Sequence, residues 1–391
     1  MQHTYDVSGL TLNRPFRLQR LGHIGLSQVD AAICDKFYRD ELGFRSTDVL
    51  HLPGMPMPAG YFTGIGTDHH TLANIAAFME QNAPNYAKGI TANQISFQVG
   101  TLEEVTKGNA FFEEAGLVNW RYGRDSPGSN WANYVFDPDG FRVELYYGME
   151  QVGWDRRSKP PELYTSPDYH PQLPEPAEIS EILAAEKRMA SLSTGYRPEE
   201  PMPFTYDVGG VLLQRPFAVN RIGPVCLLVE DIAVSERFYV EKVGLVRTEE
   251  VVHEGGRAVF LRLGTDHHVI GLFELGLRDA IKADPRTRLG TLGIELGSYR
   301  QLRDAVSWLR SRGHEVWTDA PPALRPGIDY AAFLRDPGGH TLMLYCGIEQ
   351  IGWSGAPRPA SQRMPINPSW PETLTPTDNR YSTLTRQGPL A

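Results

Sequence analysis

The chain has 391 residues, 41% hydrophobic and 22% charged, with a formal net charge of −9. That length exceeds one ordinary core and fits two domains of about 150–200 residues each, and the acidic balance speaks against a nucleic-acid-binding face, which needs Lys and Arg. No apolar run approaches the roughly 20 residues that span a bilayer; Met1–Phe16 lacks the basic-then-apolar pattern of a signal peptide; and three scattered cysteines (Cys34, Cys226, Cys346) make neither a disulfide framework nor a cysteine zinc site, so a reducing cytoplasm is expected.

In chain order, the first predicted element is an apolar strand over Arg20–Val29. Helical spacing follows over Asp30–Leu42 (Ala32, Phe37, Tyr38, Leu42) and stops at Gly43. Strand signals come next at Phe44–Leu50, Ala59–Ile65 and Leu72–Phe78. A second round runs through a strand at Gln94–Val99, a helix at Leu102–Ala115 ending at Gly116, and strands at Leu117–Tyr122, Asn133–Asp137 and Phe141–Tyr147. The last two are joined by the turn Pro138-Asp139-Gly140. Each round reads strand–helix–strand–strand–strand.

The whole pattern is then written again, roughly 200 residues later. RLGHIGL (Arg20–Leu26) returns as RIGPVCL (Arg221–Leu227), and FYRDELGF (Phe37–Phe44) as FYVEKVGL (Phe238–Leu245). GTDHH stands at Gly66–His70 and at Gly264–His268, while GMEQVGW (Gly148–Trp154) pairs with GIEQIGW (Gly347–Trp353). So many matches in one order mean duplication. The expected fold is α+β, with four βαβββ modules in two tandem domains: 1–154, a proline-rich linker 155–204 with a short helix over Ile179–Ser191, 205–353, and an extended tail 354–391.

Strand period sorts the side chains. Ile95, Phe97 and Val99 face away from Gln94, Ser96 and Gln98; Val143 and Leu145 face away from Arg142, Glu144 and Tyr146; His23 shares a face with Gly25 and Ser27. Each strand shows an apolar face for packing under helices and a polar face that is either solvent-exposed sheet or the lining of a cup.

The module order resembles the vicinal-oxygen-chelate superfamily of glyoxalase, bleomycin-resistance and extradiol dioxygenase proteins. Within it, LGHIGL, DHHTLANIAAF (Asp68–Phe78), Asn133-Tyr134 before the DPDG turn, and RVELYYG (Arg142–Gly148) are similar to type I extradiol catechol dioxygenases of the biphenyl-2,3-diol kind. The fold-level likeness spans Phe16–Trp154 and Phe217–Trp353; the dioxygenase-specific likeness covers the N-terminal half alone. The resemblance implies a metal held by His23, Gln94 and Glu144, an acid–base histidine at His70, and an active-site tyrosine at Tyr134 that donates a hydrogen bond to bound oxygen atoms. It implies Fe(II), with Mn(II) or another divalent metal as alternatives. The implied partners are a small aromatic diol and dioxygen, in a homo-oligomer with no nucleic acid and no membrane. Physically, such a donor set leaves open positions on a divalent ion, where a diol is oriented and acidified.

Two positions depart from the dioxygenase pattern. Gln94 stands where those enzymes have a ligand histidine, and Asp125 where they have a second active-site histidine. They keep open a non-oxidative isomerase, lyase or hydrolase acting on an oxygenated aromatic or carbonyl substrate, and a metal-free protein that binds an aromatic ligand. In the C-terminal half the positions equivalent to His23, Gln94, Glu144 and Tyr134 hold Pro224, Thr291, Met343 and Phe333, so no metal is expected there. His267 and His268 remain, and as neighbours on a strand they are expected to point to opposite faces.

Overall fold

The computed structural model describes residues 4–81, 88–125, 127–153, 157–160, 163, 186–189, 191, 195–197, 202–352, 354–363 and 370–374. Most of the helix predicted over Ile179–Ser191 and most of the linker fall outside the described residues, Glu186 and Lys187 being helical among those described, and so does most of the tail after residue 363. The chain forms two compact units. The first is Met1–Arg39 with Phe44–Lys88 and Ala92–Glu200; the second is Asp40–Gly43 with Gly89–Thr91 and Pro201–Ala391.

The first unit opens with a hairpin, β1 (Tyr5–Val7) and β2 (Leu10–Leu12). One module follows as β3 (Leu18–Gln28), α1 (Ala31–Phe37), β4 (Arg45–Leu50), β5 (Gly60–Gly64) and β6 (Leu72–Ala76), then a short helix α2 (Ala77–Gln81). The next is β7 (Ala92–Val99), α3 (Leu102–Glu114), β8 (Asn119–Arg124), β9 (Trp131–Phe136) and β10 (Arg142–Tyr147). The strands make one eight-stranded sheet in the order β4-β5-β6-β3-β7-β10-β9-β8. Pairs β3/β6 and β7/β10 are parallel and the rest antiparallel.

Local chemistry sets the helix ends. Asp30 caps α1 by accepting from the Ile33 amide at 2.9 Å, and Thr101 caps α3 through the Glu104 amide at 3.2 Å, each satisfying one orphan donor of a first turn. Beyond Phe37 the chain continues as a π-helical turn, Tyr38–Leu42, before Gly43 ends it in the left-handed region at φ 89°. The strand predicted to reach Phe78 stops at Ala76 instead, because AFMEQ lacks β-branched residues and is made of better helix formers.

Ile24, Ile95, Phe97, Val143 and Leu145 are fully buried, together with Val105 and Phe112 of α3. Each such side chain contributes about 1.5–3 kcal/mol by leaving water. That fixes the register, since a one-residue slip would turn the apolar set outward.

The second unit repeats the plan: hairpin β11 (Tyr206–Val208) and β12 (Val211–Leu213), then β13 (Val219–Val229), α4 (Ile232–Arg237), β14 (Val246–His253), β15 (Gly256–Arg262) and β16 (Ile270–Glu274). Its last module is β17 (Leu289–Leu296), α5 (Tyr299–Ser311), β18 (Ala331–Arg335) and β19 (Thr341–Tyr345). The sheet has seven strands, β14-β15-β16-β13-β17-β19-β18. The strand corresponding to β8 is reduced to an isolated bridge between Trp317 and Phe333. Pro321, Pro322 and Pro326 follow Trp317 closely, and proline cannot donate to a ladder.

Candidate metal centre

Strand register gathers the predicted residues into one row. His23 on β3 is opposite Ser96 on β7; Ser96 is opposite Glu144 on β10; Glu144 is opposite Tyr134 on β9; Tyr134 is opposite Arg121 on β8. Gln94 lies one same-face step from Ser96, opposite Gly25. A Cβ at residue 25 would stand 2.0 Å from Asn93 Oδ1 and 3.0 Å from Gln94 Oε1, so glycine leaves that space to the two amides. The polar face is a lining and not an exposed sheet surface: His23, Ser96, Tyr134 and Glu144 are buried and Gln94 is half-buried.

Glu144 is the focus. Its Oε2 lies 2.9 Å from His23 Nε2 and accepts from Gln94 Nε2 at 3.2 Å and from the Ser96 hydroxyl. Its Oε1 accepts from Asn130 Nδ2 at 2.9 Å. Although His23 Nε2 is so close to the carboxylate, the approach lacks hydrogen-bond geometry, and both His23 nitrogens are buried without a hydrogen bond. A buried imidazole with two unused nitrogens is costly. A lone pair converging with a carboxylate on one point is the arrangement a cation completes. Among the described residues no group of three or more His, Cys, Asp and Glu could hold a metal ion, so the donor set reaches three through Gln94. Its amide nitrogen faces Glu144; turning the amide over presents Oε1, and the two ends are distinguished only by their hydrogen bonds. His23, Gln94 and Glu144 thus fit a divalent cation.

His70 lies in the loop before β6, buried, its ring 4.5 Å from that of His23 and 4.9 Å from that of Phe62. Its Nδ1 meets His69 Nδ1 at 3.0 Å. Burial first, then the neighbouring His23 and His69, hold the His70 pKa well below the usual histidine range, so the ring is neutral at pH 7. Gly128, at φ 102°, lets the β8–β9 loop pass close over it: a Cβ there would be 3.1 Å from His70 Cε1.

Tyr134 donates to Asp125 Oδ2 at 2.5 Å, and Asp125 Oδ1 pairs with Arg121, whose guanidinium lies 4.7 Å from the Tyr134 ring centroid. The tyrosine hydrogen expected to point at bound oxygen is therefore committed to Asp125. Burial, with Asp125 and Glu144 adding to it, raises the Tyr134 pKa well above its ordinary value. Burial also raises that of Asp125, against the opposing pull of Arg121. These groups, with Gln94, Asn130 and His70, line a cavity of about 240 Å³ walled by Leu50, Phe62, Ile75 and Trp120. Reading by strand period missed Asn130 and Arg121, because the first is in a loop and the second depends on pairing with β9.

The second unit keeps the register and loses the donors. Cys226 is opposite Thr291, Gly293 opposite Met343, and Met343 opposite Phe333, matching Gly25/Gln94, Ser96/Glu144 and Glu144/Tyr134. Phe333, Met343, Tyr345 and Ile348 pack together where the first unit has its cup. The two histidines do not diverge as expected: they lie in a loop, not on a strand, with Nδ1 atoms 3.0 Å apart. His267 Nε2 approaches Glu249 Oε1 at 2.9 Å.

The family model for the Glyoxalase/Bleomycin resistance protein/Dioxygenase superfamily matches residues 20–145 and 221–344. The chain belongs to that superfamily. Among solved structures, it is similar to the 2,3-dioxygenase LapB from Pseudomonas sp. KL28 (16% identity, TM-score 0.57, 88% of this chain and 96% of that one). It is similar also to a Mn(II)-bound glyoxalase from Novosphingobium aromaticivorans (14%, TM-score 0.56, 90% of each chain), and to BphC, a halotolerant catechol dioxygenase (15%, TM-score 0.55, 93% and 96%). No curated protein matches by sequence. No helix among the described residues is long and apolar enough to cross a membrane.

Proposed function

We propose that this superfamily member is a metal-dependent, extradiol-type dioxygenase acting on a catechol-like vicinal diol, with its site in the N-terminal unit and Fe(II) held by His23, Gln94 and Glu144. The observation that carries the reading is the convergence of His23 Nε2 and Glu144 Oε2, 2.9 Å apart and buried, beside a second buried histidine, His70, kept neutral.

When bound, the metal supplies a Lewis-acid centre that chelates both oxygens of a diol and the redox chemistry for reaction with dioxygen. The chain does the rest. Phe62, Trp120, Leu50 and Ile75 give the pocket apolar walls against which an aromatic ring is held. His70, neutral and at the wall of the same pocket, has a nitrogen available to take a diol proton and return it. Tyr134, its hydrogen on Asp125, presents an oxygen lone pair to the site, and Arg121 fixes Asp125 in place. Burial of Glu144 and His23 keeps water from competing for the donors.

Gln94 favours one second reading, a non-oxidative isomerase, lyase or hydrolase in the same cup, since an amide oxygen is a weaker donor to iron than imidazole. Metal analysis of anaerobically purified protein, then oxygen uptake with a panel of catechols, separates the two. Stoichiometric oxygen consumption with ring-opened product supports the dioxygenase; a metal-loaded protein that consumes none with any catechol refutes it.

A further inference from the structure

The cup of the second unit holds a buried guanidinium that no carboxylate among the described residues pairs with directly. Arg325, in the loop between α5 and β18, is 7% exposed and lines a cavity of about 20 Å³ together with Cys226, His268, Thr291, Phe333 and Met343. Its NH1 donates to the carbonyls of Ile328 and Asp329, the latter at 2.8 Å. Its Nε is buried with no hydrogen-bond partner. Among the described residues no carboxylate pairs with it. Asp329, whose main chain it binds, gives its side chain to Arg358 at 2.6 and 3.0 Å.

Burial draws the Arg325 pKa down to about 10, partly opposed by Asp329, so the guanidinium remains a cation at neutral pH. Carbonyl dipoles satisfy hydrogen-bonding capacity but carry no net charge, and a buried charge without a counter-ion is strongly unfavourable. At about 20 Å³ the cavity has room for one small occupant. Its remaining walls (Phe273, Ile281, Ala320, Pro321, Leu324) are apolar and offer nothing to a larger, hydrated oxyanion.

We propose that this cavity is a monatomic-anion site that takes one halide, chloride under ordinary conditions, against the Arg325 guanidinium with the Thr291 hydroxyl beside it. The duplicated cup thereby has two fates: a cation-binding arrangement in the first unit, an anion-binding arrangement in the second.

Two measurements on the full chain test this. In crystals soaked in bromide, an anomalous peak is expected in contact with the Arg325 guanidinium. In solution, the unfolding midpoint of the wild type is expected to be a few degrees higher in sodium chloride than in sodium gluconate of equal ionic strength. Arg325→Gln should erase that difference. If the variant does not fold, Thr291→Val, which removes the hydroxyl and keeps the shape, should reduce the chloride dependence. A cavity without an anomalous peak holds water only, and equal midpoints in the two salts mean an adventitious ion only; either result overturns the proposal.

Discussion

Changing Glu144 to Gln removes one charge from the centre of the candidate site while preserving its shape. The carboxylate accepts from Gln94, Ser96 and Asn130 and faces His23. A glutamine keeps one acceptor for Asn130 and turns an amide donor toward His23 Nε2, a Ser96 hydroxyl that is free to rotate, and Gln94, whose own amide turns over to accept. Fold stability without metal should therefore change by no more than about 1 kcal/mol. Metal binding should not survive. A divalent ion at an ordinary carboxylate bond length of about 2.1 Å gains about 4 kcal/mol from one negative charge even at the dielectric constant of water, or about a thousandfold in affinity. The buried setting makes that a lower bound. Titration of Mn(II) or Fe(II) into wild type and variant by calorimetry under anaerobic conditions, with urea unfolding alongside, reads both quantities. A variant that binds the metal with wild-type affinity would refute the assignment of Glu144 as its anionic ligand.

Asn130→Ala, which removes a hydrogen bond that orients the carboxylate, should weaken metal binding by about 10–100-fold without abolishing it; the same titration checks it. Gln94→His should strengthen binding of iron-group metals if Gln94 is a ligand, and leave affinity unchanged if it contacts substrate. His70→Ala should retain the metal and slow turnover by about a hundredfold or more, whereas His268→Ala should act on stability alone, as paired kinetic and unfolding measurements will show. Burial, with His267 adding to it, holds the His268 pKa well below the ordinary histidine range. The unfolded chain takes up a proton near pH 6.5 that the folded chain refuses, so stability is complete above that pH and falls as pH drops below it, by up to about 1.4 kcal/mol per pH unit. Urea unfolding between pH 7.5 and 5 should fall more steeply in wild type than in His268→Gln, which keeps the slope that buried His70 contributes to both; parallel slopes would contradict it.

Much of the fold was legible because its signals are local and repeated. Period-two strands at Gln94–Val99 and Phe141–Tyr147, helix stops at Gly43 and Gly116, and the doubled RLGHIGL/RIGPVCL, GTDHH and GMEQVGW/GIEQIGW motifs determine four modules whatever their packing. Their alternation also placed His23, Gln94 and Glu144 on the polar faces of their strands, which is a property of one strand at a time. The strand predicted through Phe78 and the divergence expected of His267 and His268 failed where a local rule was extended past the end of its element: AFMEQ coils into α2, and both histidine pairs lie in loops.

Sequence alone, then, determined the module order, the duplication and the residue types available on each polar face, because hydrophobic period and turn chemistry act over a few neighbouring residues. Only the tertiary structure decided which of those faces meet. The sheet order β3-β7-β10-β9-β8 brings His23, Ser96, Glu144, Tyr134 and Arg121 into one row. The β8–β9 loop carries Asn130 onto Glu144, and the same register in the second unit closes the cup with Phe333 and Met343 beside the buried Arg325. Strand pairing joins residues far apart in the chain, and the burial that gives these groups their chemistry exists only after that pairing is made.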